Sequence, residues 1–173
     1  MRVSRRPATG KPVMTDLRID KQRIAATLTL SAGDQLIGSL FLADRAATHA
    51  GPERLVDVLN DSAGFLPFEA VSDLGARHTL LINRAHIVAV QSDRTAGELA
   101  EDAAYQVAPQ KSVSLQLASG AHLRGVLRVE QPAGRARLSD AVRDQTGFVY
   151  LEDRSGVLAV NLAHVVRIMP LAE

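Results

Sequence analysis

Two histidines, His86 and His164, end the same short motif, Asn-x-Ala-His. An imidazole titrates near neutral pH, and in an exposed turn it can bind a nucleic-acid base, a metal ion or a carboxylate. Alternatively, each ring bonds to the backbone of its own turn and fixes the start of the next strand. Asn83 and Asn161, which head the two motifs, are typical of side chains that cap a turn through a backbone amide. We favour the structural interpretation for all four residues.

The known signatures of catalytic sites are missing from the sequence. It contains no cysteine, which excludes thiolate catalysis, disulfides and cysteine-ligated metal centres. It contains no phosphate-binding glycine loop, no His-Glu-x-x-His helix and no Gly-x-Ser-x-Gly turn. The other histidines, His49, His78 and His122, follow no metal-ligand spacing. We therefore predict a protein that is not an enzyme and that holds no metal or other cofactor.

Two Arg-Leu-x-Asp segments place opposite charges three residues apart, at Arg54 and Asp57 and at Arg137 and Asp140. On a helix this spacing puts both side chains on one face, where they attract each other. The alternative is that each aspartate accepts a hydrogen bond from a neighbouring backbone amide. Both interpretations are structural, and neither gives an acid–base pair.

Composition and charge argue against a general nucleic-acid binder. Aromatic residues make up 3% of the 173 residues, with no tryptophan, so stacking platforms for single strands are scarce. Residues 1–23 hold seven basic and two acidic residues, a net charge of +5, whereas the rest of the chain carries −4. We predict a flexible basic tail over 1–23. No stretch reaches the ~20 apolar residues of a membrane span and no apolar segment follows the basic N-terminus, which together favour a cytosolic protein.

The chain repeats the same order of short segments. Corresponding residues are separated by an offset of 87, then 83, then 78, as measured at the pairs Gly33–Gly120, Arg54–Arg137 and Asn83–Asn161. The shrinking offset indicates that only loops were shortened. We predict a first repeat over 24–91, a linker over 92–110 and a second repeat over 111–173.

Each repeat is predicted to be mainly β, with five strands. Alternating apolar residues predict a first hairpin, and a glycine then falls inside its second strand, at Gly38 and at Gly125. A glycine there indicates a sharp bend or a close backbone approach. A short helix is predicted after the second strand, over 52–60 in the first repeat and about 136–143 in the second. Three further strands follow, and the Asn-x-Ala-His turn precedes the last one.

This organisation resembles the SH3-like small barrels and, among them, the Sm-like fold. That fold has two glycines five residues apart and an apolar residue two further on, and Gly33, Gly38 and Leu40 match this spacing, as do the equivalent residues of the second repeat. The Arg-Leu-Ser-Asp segment is also similar to PRC-type barrels. The resemblance implies two tandem five-stranded SH3/Sm-like barrels. The Asp and Asn with which Sm-like proteins hold RNA bases are absent after the first motif, so RNA binding does not follow from it.

These observations favour a non-catalytic interaction or assembly module, a subunit or adaptor of a bacterial cytosolic complex. Small barrels leave exposed strand edges, and an edge can pair with another protein subunit or with a second copy. The predicted interaction residues lie in the last strand of each repeat: Val88, Val90, Val166 and Ile168. The alternative is an RNA-binding regulator that uses the two turns and the basic tail through Asn83, His86, Asn161, His164, Arg5 and Arg6. A third possibility is a sensor that binds a small molecule between the barrels.

Overall fold

A computed structural model describes residues 21–128, 138–143 and 145–172. The described residues form ten antiparallel strands in a single sheet, in the order β10-β6-β7-β8-β9-β5-β1-β2-β3-β4. The strands are β1 (Lys21–Leu30), β2 (Gln35–Ala43), β3 (Phe65–Val71), β4 (Arg77–Asn83), β5 (Ile87–Gln91), β6 (Gln110–Leu117), β7 (His122–Arg128), β8 (Phe148–Asp153), β9 (Gly156–Asn161) and β10 (Val165–Pro170). The prediction of a mainly β protein is confirmed.

Short helices connect the strands. They are α1 (Leu55–Leu59), α2 (Arg94–Glu101), α3 (Ala103–Val107) and α4 (Leu138–Val142), with single 3₁₀ turns at Arg84–His86 and Leu162–His164. The first helix begins three residues later than Pro52, the predicted start, and ends at Leu59, one residue before the predicted end, with Asn60 as its C-cap. The segment assigned to a linker contains α2 and α3, and Leu99 of α2 packs in the core. Residues 21–23, assigned to the tail, begin β1, whereas Arg5, Arg6 and Arg137 lie outside the described residues.

The two halves of the sheet have the same strand order. Strands β5-β1-β2-β3-β4 form the first half, β10-β6-β7-β8-β9 form the second, and pairing between β5 and β9 joins them. The last strand of each half carries an irregularity at its second residue, Val88 in β5 and Val166 in β10. Two separate closed barrels are not confirmed, because the described strands form one continuous sheet whose two ends are β4 and β10.

The interior glycines mark close backbone crossings, one of the two reasons expected from the sequence. A Cβ atom built on Gly38 would overlap the carbonyl oxygen of Glu69 in β3. In the second half, a Cβ atom on Gly125 would overlap the carbonyl oxygen of Glu152 in β8. The second strand of each half therefore needs glycine so that the third strand can cross it at this distance.

Apolar side chains form two core clusters, and each draws on both halves. Val88 of β5 packs with residues of the second half, including Val113 and Val160. Conversely, Phe148 and Tyr150 of β8 pack with the first half, against the residues of α1. Since burying one such side chain contributes roughly 1.5–3 kcal/mol, these exchanged residues bind the halves to each other.

Candidate functional site

The pairing of β5 with β9, which we call the internal junction, joins the two halves. Its register places Ala89 opposite Val160, Val90 opposite Ala159, and Gln91 opposite Leu158. Val90 and Ala159 are fully buried there. The junction is a strand-edge pairing of the kind expected for an interaction module, made here within one chain.

Side chains reinforce the internal junction by bonding to backbone groups of the opposite half. Asn60, just after α1, donates from Nδ2 to the carbonyl oxygen of Phe148 at 3.1 Å and accepts at Oδ1 from the Phe148 amide at 2.7 Å. Gly147 lies against the side-chain amide of Asn60, and its positive φ of 77° also favours glycine. Asn161 donates from Nδ2 to the carbonyl oxygen of Ile87 at 3.0 Å. No local sequence pattern indicates these long-range bonds, since amide side chains are common in turns.

The predicted capping of both turns by asparagine is confirmed. Oδ1 of Asn83 accepts a hydrogen bond from the Ala85 amide at 3.0 Å, and Oδ1 of Asn161 accepts from the Ala163 amide at the same distance. The two caps differ in surroundings, because Asn161 is buried, with 4% of its surface exposed, and Asn83 is only partly covered.

The two histidines make structural contacts, but not with the backbone of their own turns as expected. Nε2 of His164 lies 2.8 Å from the carbonyl oxygen of Ala85, in the turn of the other half. Nδ1 of His86 lies 3.1 Å from the Ser31 hydroxyl, and the ring is exposed. His164 therefore helps hold the halves together, whereas the exposed His86 ring makes its contact within the first half.

The strands at the two ends of the sheet, β4 and β10, expose apolar side chains. Leu81 of β4 is 69% exposed, Val166 of β10 is 68% exposed, and Phe65 beside β4 is 57% exposed. Of the four predicted interaction residues, two lie at the internal junction and two lie on the exposed end strand β10. Val88 and Val90 are buried at the internal junction, whereas Val166 is exposed and Ile168 partly exposed on β10. Phe65 and Leu81 were not among the interaction residues predicted from sequence. Their counterparts in the second half, Phe148 and Ala159, were the available signal for them.

A polar cavity of about 460 Å³ lies between α2 and the segment before α1. The Asp57 carboxylate accepts from the Arg54 amide and lies 2.8 Å from Nε2 of His49. The guanidinium of Arg54 pairs with Asp102 at 2.7 Å. The direct pairing of Arg54 with Asp57 is therefore wrong and the backbone-amide alternative is confirmed for Asp57. Burial raises the pKa of the Glu98 carboxyl, although Arg94 lies 2.9 Å away.

Hydrogen bonding favours the charged form of the His49 imidazole. Its Nε2 faces the Asp57 carboxylate, and its Nδ1 lies 3.1 Å from the carbonyl oxygen of Ala50. Because both neighbours accept, this geometry favours the form in which both ring nitrogens carry protons. The bond to Asp57 is the main cause that raises the pKa of His49 above 6.5. The ion pair attaches the segment before α1 to the helix itself.

A second cavity, of about 520 Å³ and mainly apolar, lies where the two halves meet. It is lined by Leu30 and Val88 from the first half and by Leu117, Leu158 and His164 from the second. This is the location at which the sequence analysis placed a small ligand between the barrels. Its polar lining consists of His164, four hydroxyl side chains and two amide side chains: Thr27, Thr29, Ser31, Ser119, Gln35 and Gln91.

Within the described ranges, no cluster of three or more His, Asp or Glu side chains has the geometry of a metal site. Every helix in that part of the chain is also too short or too polar to cross a membrane. Comparisons of the chain with models of protein families, with curated proteins and with solved structures gave no significant match.

Proposed function

We propose that this protein is a non-catalytic interaction module that assembles with another protein chain through its exposed edge strands. In this proposal it is a subunit or adaptor of a bacterial cytosolic complex. Its two halves act as tandem copies of one SH3/Sm-like small barrel. The observation that carries the proposal is the pair of exposed edges, β4 and β10, at opposite ends of the described sheet.

The edges have the features of pairing surfaces. A sheet edge presents unpaired backbone N–H and C=O groups that another strand can complete, and protein surfaces usually protect such edges. Here the edges carry exposed apolar side chains, with Leu81 on β4 and Val166 and Met169 on β10. Strand addition would bury these side chains and satisfy the backbone groups together, which is the usual basis of recognition by β-augmentation.

The charge distribution also supports a protein partner. The chain outside the basic tail carries a net charge of −4, whereas phosphate contacts require clustered basic residues. Several described arginines are already engaged with the protein itself. Arg84 donates to the carbonyl oxygens of Val58 and Phe65, and Arg128 pairs with Glu152 at 2.7 Å.

Native mass spectrometry of the protein isolated gently from its host tests the proposal. We expect an added protein mass or a multiple of the chain mass, which Val166→Lys removes because it places a charge in the proposed seam. Leu74→Lys is the matched control, since Leu74 is 96% exposed in the β3–β4 turn, away from edge pairing. Circular dichroism establishes that both variants are folded. A bare monomer, or equal effects of the two lysines, would refute edge-strand assembly.

The second candidate is RNA binding, and the exposed turn of the first half favours it. His86 is exposed beside the partly covered Asn83, so these two groups are accessible to a base. The same turn in the second half differs, because Asn161 is buried and His164 bonds to Ala85. Binding of single-stranded RNA that weakens with salt and with His86→Ala would support this function. Binding unaffected by His86→Ala would exclude that turn as the site.

A further inference from the structure

The internal junction uses one edge strand from each half. The strands at the equivalent positions of the opposite halves remain without a partner in the described sheet. It pairs the last strand of the first half, β5, with the fourth strand of the second half, β9. The two ends of the sheet are the fourth strand of the first half, β4, and the last strand of the second half, β10. One molecule therefore presents both partners of the same kind of junction at opposite ends.

We infer that a second copy of this chain is the partner, and that β10 of one chain pairs with β4 of the next. This inference rests on the proposed function of edge-strand assembly and specifies its partner. Equivalent residues near Asn83 and Asn161 differ by 78 in number. Applying this offset to the residue pairs of the internal junction gives the register expected between the two chains. The expected opposite pairs are Arg167 with Ile82, Ile168 with Leu81, and Met169 with Leu80.

Burial at corresponding positions supports this pairing. Val88 is 8% exposed at the internal junction, whereas Val166 at the equivalent position of β10 is 68% exposed. Ala159 is fully buried, whereas the equivalent Leu81 is 69% exposed. The exposed apolar residues of the two edges thus stand at the positions that the internal junction covers. A second junction of the same form would cover them.

The helices supply a second observation. In the internal junction α1 lies against β8, and Phe148 is 6% exposed in the cluster that includes Leu55 of α1. The corresponding elements are α4 and β3, which show no comparable packing among the described residues of one chain. Beside α4 the structure has a cavity of about 630 Å³, lined by Leu138, Ile168 and other residues of α4 and β10. Phe65 of the second copy, which corresponds to Phe148, is the side chain expected to enter it.

The turn residues extend the correspondence. His164 reaches the Ala85 carbonyl oxygen through Nε2, so His86 is expected to reach Ala163 of the second copy in the same way. The bond from Ser31 to Nδ1 leaves Nε2 of His86 directed elsewhere. The Asn60 clamp has no equivalent, because the offset of 83 places Arg143 at that position. We therefore expect the junction between chains to be weaker than the internal one, and reversible.

Such a junction is heterologous, since different surfaces meet. After each addition the assembly again presents one free β4 and one free β10, so assembly continues until a ring closes or a filament forms. Closing a ring leaves no unpaired end in the described sheet. This symmetry distinguishes the inference from a twofold dimer, in which β10 would pair with β10 or β4 with β4.

Disulfide trapping tests the register, and the cysteine-free sequence makes it specific. Directly opposite residues of antiparallel strands lie about 4.5–5.5 Å apart between Cα atoms, which suits a disulfide. We would mix purified Leu81→Cys and Ile168→Cys proteins under mild oxidation. The expected product has twice the chain mass and forms in the mixture far more than in either variant alone. Leu74→Cys mixed with Ile168→Cys is the control, since the β3–β4 turn lies outside the seam.

Three results would overturn the inference. The first is folded variants that give no cross-link in the mixture. The second is a cross-link within each variant alone, which indicates pairing of like edges. The third is cross-linking of the control pair to the same extent. If trapping fails while native mass spectrometry of host-isolated protein finds a different protein that Val166→Lys displaces, only the identity of the partner is wrong. If both experiments fail, edge-strand assembly itself is refuted.

Discussion

Replacing Asn161 by alanine measures what its side chain contributes to joining the two halves. The amide is buried, accepts from Ala163 and donates to the carbonyl oxygen of Ile87, each at 3.0 Å. Losing a capping bond of this kind costs about 1 kcal/mol. Leaving a buried carbonyl without its donor costs about 1–3 kcal/mol more. We therefore expect Asn161→Ala to lower the free energy of unfolding by about 2–4 kcal/mol.

The chain contains its own matched control at Asn83. This side chain caps the equivalent turn with the same geometry, but it is only partly covered, and among the described residues its amide nitrogen makes no hydrogen bond to the other half. Asn83→Ala should therefore cost about 1 kcal/mol. For a chain of this size 1 kcal/mol shifts the melting temperature by about 2–4 °C. The expected losses are roughly 4–16 °C for Asn161→Ala and about 2–4 °C for Asn83→Ala.

Urea and thermal unfolding followed by circular dichroism compare the two variants. The denaturant dependence should stay the same, because neither substitution changes the surface that unfolding exposes. Equal losses in the two variants would refute the reasoning, since the only difference we assign between them is the bond to Ile87. A larger loss for Asn83→Ala would refute it more strongly.

The other predictions concern a close approach and an ion pair. Gly38→Ala should lower the free energy of urea unfolding by about 1–3 kcal/mol, because the added methyl group overlaps the Glu69 carbonyl. Gly97→Ala, with open space beside its position in α2, should raise it by about 0.5–1 kcal/mol; two equal losses would contradict this explanation. Asp57→Asn should lower the pKa of His49 toward 6.5 in an NMR titration, and an unchanged pKa would contradict the assignment. In the unmodified protein this pair stabilises fully below pH 6.5, and its contribution is lost as the pH rises through the raised folded-state pKa of His49.

Local structure could be predicted where a pattern is short and regular. Alternating apolar residues predicted a first hairpin, and the structure forms it from β1 and β2. The glycines inside the second strands predicted a sharp bend or a close backbone approach, because a missing side chain in a strand needs a steric reason, and the close approach is present. The start of α1 was predicted less well. Pro52 is compatible with a first helical turn, but the chain continues as a loop to Arg54.

Long-range pairing could not be predicted, because alternation shows that a strand is half-buried and not which strand lies beside it. Val88 fits either an internal or an external seam equally well from sequence, and the fold places it in the core of the opposite half. The contact of His164 with Ala85 spans 79 residues, and no local spacing encodes it. The same holds for the bond between Asn60 and Phe148, which requires both halves to be placed first.

In the assembly that we propose, sequence differences between equivalent edge positions would make the pairing of an exposed edge selective. Ala89 faces Val160 at the internal junction, and the offset of 78 places Arg167 at the corresponding position of β10. A charged side chain on an edge strand disfavours pairing with arbitrary apolar strands, because it must then be desolvated or turned to solvent. The next residue, Ile168, is apolar like the equivalent Val90. The edge therefore keeps an apolar side chain at the position that is buried in the internal junction. Protection of the edge against other strands would require only the charge of Arg167. The apolar Ile168 beside that charge is consistent with one specific partner strand.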